Sequence, residues 1–147
     1  MKVYIGADHR GFFLKKALSD YLGRAGYEVI NEGEPALDPN DDYPVVAQRL
    51  AKDLLTSDDK DSRGILICGS GQGVCMAANR FKGIRALLGY DRDAVKSART
   101  DDDANVLCLP ANTISKEDAN IFAETFLNTT FIPEPRYVRR IREMDDM

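Results

Sequence analysis

The run Ile65-Leu66-Ile67-Cys68-Gly69-Ser70-Gly71-Gln72-Gly73 decides the fold. Its apolar opening is the length of a buried strand and too short for a helix. Glycines alternating with polar residues then break the strand, and helical spacing resumes from Gly73 to Phe81. Outward from this unit, Val3–Ala7, Glu28–Glu32, Arg85–Leu88 and Val106–Leu109 read as further short buried strands. Leu14, Leu18, Tyr21 and Ala25 recur at helical spacing, as do Val46, Leu50 and Leu54, and another helix fits Asp91–Thr100. Ser115 is a good N-cap, with Asp118 three residues on and Phe122 and Phe126 sharing one face. Pro135 opens a charged terminal helix, at about 135–145. Strands alternating with helices predict a parallel sheet covered on both faces, which binds ligands at the carboxyl ends of its strands. Chemistry is therefore expected just after Ala7, Cys68, Leu88 and Leu109.

A chain of 147 residues fits a single domain, residues 1–147, able to bury a core without disulfides. The net charge of −4 argues against a nucleic-acid partner, which would need basic stripes. One histidine excludes multi-histidine metal sites and mechanisms with two imidazoles, and three cysteines suit a reducing compartment better than secretion. No run approaches the roughly 20 apolar residues of a membrane span, and the start lacks the apolar stretch of a signal peptide. A soluble, cytoplasmic domain with no membrane partner is the expectation. The acidic stretch Glu32–Pro44 reads as a loop.

The first strand ends in Asp8-His9-Arg10-Gly11. Such a tetrapeptide is commonly a turn with Asp8 as a cap. Here an acid, the only imidazole and a guanidinium also arrive together at the binding edge, able to hold sugar hydroxyls and an anion. After Cys68, the backbone of Gly69, Gly71 and Gly73 can approach a ligand closely and offer it N–H groups. The loop is not a dinucleotide fingerprint, because Val74 stands where the third glycine belongs, nor a P-loop, because the lysine is missing. Cys68 is either a small core residue or, beside these amides, a base or nucleophile. Cys75 and Cys108 read as core. Asp101-Asp102-Asp103 at a helix end is ordinarily a solvated face, but it opposes the helix dipole and so hints at function. Arg136, Arg139 and Arg140 share a helix face and could converge on phosphate, or merely compensate the dipole.

These motifs, with Asp42-Tyr43-Pro44, Ala77-Ala78-Asn79-Arg80, Gly83-Ile84-Arg85-Ala86 and Asn105-Val106-Leu107, resemble ribose-5-phosphate isomerase B and its galactose-6-phosphate isomerase relatives along nearly the whole chain. The resemblance implies a Rossmann-like three-layer α/β/α sandwich with a five-stranded parallel sheet. It implies a homodimer or dimer of dimers with active sites shared between subunits, the terminal helix contributing to the dimer and the phosphate site. It further implies aldose–ketose isomerisation of a sugar phosphate through an enediolate, without metal or other cofactor. Carried onto this chain, Cys68 is the base, and Ser70 with the amides of Gly69, Gly71, Gln72 and Gly73 stabilises the enediolate. Asp8 holds sugar hydroxyls, and His9, Arg136 and Arg140 face the phosphate.

The departures are equally specific. Relatives carry His-Asn at the positions of Asp101-Asp102, where the histidine assists ring opening, and an arginine near Asn112 that binds phosphate. Here Asp101 is expected to take over as ring-opening acid/base beside Asp102, and Arg10 to supply the missing charge. The alternatives are a hexose phosphate or unphosphorylated sugar as substrate, or a sugar-phosphate-binding relative without turnover. A phosphorelay receiver, which shares the layer order, would need aspartate at Cys68 and a lysine near Pro110-Ala111-Asn112.

Overall fold

The computed structural model describes residues 1–147. Five strands form one parallel sheet: β1 (Lys2–Ala7), β2 (Glu28–Asn31), β3 (Arg63–Cys68), β4 (Ala86–Leu88) and β5 (Val106–Pro110), in the spatial order β2-β1-β3-β5-β4. The intervening helices are α1 (Phe12–Arg24), α2 (Tyr43–Leu55), α3 (Gln72–Ala78), α4 (Arg92–Asp102) and α5 (Lys116–Asn128), and α6 (Pro135–Asp145) closes the chain. This is the expected three-layer α/β/α sandwich. No helix is long and apolar enough to cross a membrane.

Side chains alternate between the faces of each strand, so the sheet divides the apolar residues into two cores. Val3, Ile5, Ile65, Ile67, Leu107 and Leu109 pack against α1, α4 and α5. Tyr4, Leu66, Cys68, Val106 and Cys108 face α2 and α3. The central strands are buried on both sides, which is why they read as continuous apolar runs. Ser115 does cap α5, accepting from the Asp118 N–H at 3.0 Å, and Phe122 and Phe126 are buried beneath that helix.

Two motif residues turn out to be structural. The Asn79 side chain, at the end of α3, accepts from Ala86 N at 2.8 Å and donates to Ala86 O at 2.9 Å. It thereby serves the open side of edge strand β4 and ends α3 before Phe81. Asn105 accepts from Arg85 N and donates to Gly83 O, both at 2.8 Å, fixing the turn into the same strand.

The topology sets where a ligand can sit. From β1 the chain passes to α1 on one face; from β3, its neighbour, it passes to α3 on the other. The two loops diverge and leave a crevice beyond Ala7 and Cys68, the switch point of such sheets. Because β5 lies between β3 and β4, the loop after Leu88 is displaced to the sheet edge. That loop lends no residue to the crevice. Asp91 instead caps α4, accepting from Ala94 N at 2.7 Å.

Candidate active site

The crevice is a cavity of about 340 Å³ lined by Asp8, His9, Arg10, Asp41, Asp42, Tyr43, Cys68, Gly69, Ser70, Gly73 and Asn112. Three strand ends build it. Asp8 follows β1 and is buried, its Oδ1 accepting from the N–H groups of Arg10 (3.0 Å) and Gly11 (3.3 Å). The carboxylate therefore orders the turn before α1, and the helix itself has no side-chain cap. Gly11 is required by contact: a Cβ there would lie 2.7 Å from the Ile67 carbonyl oxygen.

Cys68 ends β3 beneath the glycine loop, and its Sγ accepts from Gly71 N–H at 3.2 Å. Gly71 has φ +73°, a left-handed conformation that turns the chain into α3. Gly69 lets Arg10 and Asn112 close over the loop, since a Cβ would stand 2.8 Å from Arg10 Cδ and 2.9 Å from Asn112 Nδ2. The loop is tied to the third strand end by Ala111 N donating to Cys68 O and Asn112 N to Gly69 O, both at 2.9 Å. Ser70 and Gln72 are exposed at the mouth, and Ser70 Oγ accepts from Gln72 N at 3.2 Å. Gly73 makes room for the Tyr43 ring, whose carbons would lie 2.7–3.0 Å from a Cβ. Arg10 makes no ion pair and is the free cation of the cavity. Nowhere do three histidine, cysteine or acidic side chains gather as a metal-ligand set.

The structure thus brings together Asp8, His9, Arg10, Cys68, Gly69, Ser70 and Gly73, with Gly71 and Gln72 in the same loop. It does not bring Asp101, Asp102, Arg136 or Arg140 to them. Those four form a second cluster where α4 ends and α6 passes. There α4 finishes beside the amino ends of β4 and β5, its last carbonyls (Asp102 and Asp103) accepting from Arg85 at 3.0–3.3 Å. A helix of its length spans about 16 Å, so the cluster sits at the opposite end of the strands from Cys68.

Within this cluster Asp101 accepts from Thr100 Oγ1 at 2.8 Å. Burial and the adjacent Asp101 push the Asp102 carboxyl up, against Arg140 and Arg85. Arg136 lies over the Tyr137 ring, pairs with Glu134 at 3.3 Å and feels the field of Asp101. Asp103 is structural, bonded to Arg99 at 2.8 Å and turning the chain at φ +47°. Helix α6 has no buried residue; it is held through half-buried Tyr137, Val138 and Ile141 and by Asp145, which Arg85 grips with Nη1 at 3.0 and 3.2 Å.

Sequence reasoning assigned no role to Asp41, Asp42 or Tyr43 and treated Asn112 only as a missing arginine. Tyr43 and Asp42 carried a signal, since they open a proline-started helix next to the binding edge. Asp41 carried none.

The ribose/galactose isomerase family model matches residues 3–144. A probable ribose-5-phosphate isomerase B of Mycoplasma genitalium is 40% identical over 139 residues, covering 95% of this chain and 90% of its own. The crystal structure of a ribose 5-phosphate isomerase from Thermotoga maritima superposes with a TM-score of 0.93 at 38% identity, over 99% of this chain and 98% of that one. The ribose-5-phosphate isomerase B of Mycoplasma genitalium with bound ribulose-5-phosphate superposes at 0.91 and 38% identity, over 99% and 94% of the two chains. With its glycine loop, its cysteine at the switch point and this likeness along its length, the chain belongs to the ribose/galactose isomerase family.

Proposed function

We propose that this protein interconverts an aldose phosphate and a ketose phosphate, ribose 5-phosphate and ribulose 5-phosphate being the favoured pair. The observation that carries the reading is Cys68 Sγ at the floor of the crevice, beneath a loop of backbone amides. In the reaction the thiolate takes the proton from C2 of the open aldose, electrons move into the carbonyl, and the resulting enediolate is reprotonated at C1. The C2 hydroxyl proton leaves as the new carbonyl forms, and the C1 oxygen gains one. Ser70 and the loop amides stabilise the charge on these oxygens, as positioned donors do wherever charge develops. Asp8 holds sugar hydroxyls, and Arg10 and His9 take the phosphate.

One chain leaves this site short of charge for a phosphate dianion. A homodimer, or dimer of dimers, therefore completes the site, the Asp101–Asp102–Arg136–Arg140 cluster of a second copy closing the cavity. A symmetric pair would use each cluster once. Arg136 and Arg140 then face the phosphate and Asp101 assists ring opening. A cysteine base must stay reduced, which favours a reducing compartment such as the cytoplasm.

Nuclear magnetic resonance of ribose 5-phosphate in heavy water tests the reading. Isomerisation should bring solvent deuterium to C2 of the aldose and C1 of the ketose. Binding with no deuterium uptake would make the protein a sensor instead. Uptake into a hexose phosphate or free sugar alone would reassign the substrate.

A further inference from the structure

The sole imidazole is held in an uncommon way. Asp41 Oδ1 lies 2.8 Å from His9 N and 2.8 Å from His9 Nδ1, so one carboxylate oxygen takes both groups of a single residue. The Asp41 side chain is 16% exposed and its place is set by the loop that carries it. Lys15 Nζ donates to Asn31 Oδ1 (3.1 Å) and Glu34 O (3.0 Å) at the root of that loop, and Arg49 donates to Glu32 O at 2.9 Å.

A carboxylate oxygen only accepts, so Nδ1 carries a proton and the free nitrogen is Nε2. His9 lines the same cavity as Arg10, Cys68 and Asn112. In the neutral ring, Nε2 offers a lone pair and cannot donate to a phosphate oxygen. With a second proton the ring becomes a donor, and Asp41 on its far side balances the charge. A phosphate monoester loses its second proton near pH 6 and so can bring that proton with it.

We propose that Asp41 is a positioning residue for the anionic group of the substrate: it fixes the ring and tautomer of His9 so that Nε2 meets the phosphate as a charge-compensated donor. The inference rests on the sugar-phosphate reading above and deepens it. His9–Asp41, with Arg10, supplies anion recognition on the same chain as Cys68, where Asn112 offers no charge.

The test uses Asp41→Asn and Asp41→Ala with two readouts. With one histidine in the chain, ¹⁵N resonance of histidine-labelled protein reports a single ring without further assignment. In the parent the proton should lie on Nδ1, and saturating inorganic phosphate should protonate both nitrogens. Asp41→Ala should release the tautomer and raise KM for ribose 5-phosphate by about 10–100-fold, the range for a charged hydrogen bond, with kcat changed far less. Asp41→Asn, which keeps an acceptor without the charge, should fall between. A proton on Nε2 in the free parent, or a KM within about twofold of the parent in Asp41→Ala, overturns the proposal. The ring readout with inorganic phosphate judges Asp41 even if ribose 5-phosphate is not turned over, so failure of the substrate assignment is seen separately.

Discussion

The crevice beyond β1 and β3 and the cluster where α4 meets α6 both hold acids and arginines, but they are built differently. In the crevice, Asp8 is buried against backbone amides, Cys68 lies under a glycine loop, and Asn112 is tied to that loop through the backbone. No residue of α6 is buried, and Arg136 already has Glu134 as a partner. The first region is preorganised by the sheet, as catalysis demands. The second is a charged surface held by a few side chains, to which the proposed function gives phosphate binding once a second copy meets it.

If that division of labour is right, substitutions in the two regions should fail in different ways. Cys68→Ala should give the largest effect, lowering kcat by roughly 10²–10⁴ while KM holds, read from steady-state turnover of ribose 5-phosphate. Arg140→Ala should instead raise KM by about 10-fold with kcat nearly kept, and the penalty should shrink as salt screens the phosphate. Equal losses of kcat in both variants would erase the distinction. Asp145→Ala removes the grip of Arg85 on α6, a bridge whose partners are 13% and 31% exposed. Its cost in stability should be about 0.2–1 kcal/mol, with a KM increase smaller than that of Arg140→Ala.

A further expected effect lies outside both regions, changing stability and leaving turnover unchanged. Glu32 is buried opposite Asp53, and its carboxyl is pushed up to about 7, first by burial, then by the hydrogen bond and charge of Asp53, against Arg49. The folded chain thus holds this proton more tightly than the unfolded chain, where the value is 4.5. That stabilisation is complete below the unfolded value and is lost as pH rises through about 7. Glu32→Gln should keep its stability across this window. By calorimetry its Tm should exceed the parent's by several degrees at pH 8 and match it near pH 4.

The first region was legible in the sequence because its residues follow strands directly. Once Val3–Ala7 and Ile65–Cys68 are strands of a parallel sheet, Asp8 and Gly69 have nowhere else to go. Asp41 was illegible because residues 32–42 lack periodicity, and only the folded loop shows which of its acids meets His9. Strand order was hidden too, so the loop after Leu88 looked as promising as the others until β4 fell at the edge. The resemblance gathered Asp101, Asp102, Arg136 and Arg140 into one site with Cys68. Within one chain the length of the strands separates them.

That separation makes mixing two crippled variants the most direct test. Cys68→Ala and the double variant Arg136→Ala/Arg140→Ala should each be inactive or nearly so at low substrate. Co-expressed, about half of randomly paired dimers are mixed, and each mixed dimer regains one intact site, so about a quarter of parental activity should return. If the mixture is no more active than its components, the cavity of one chain is not completed by the α4–α6 cluster of another.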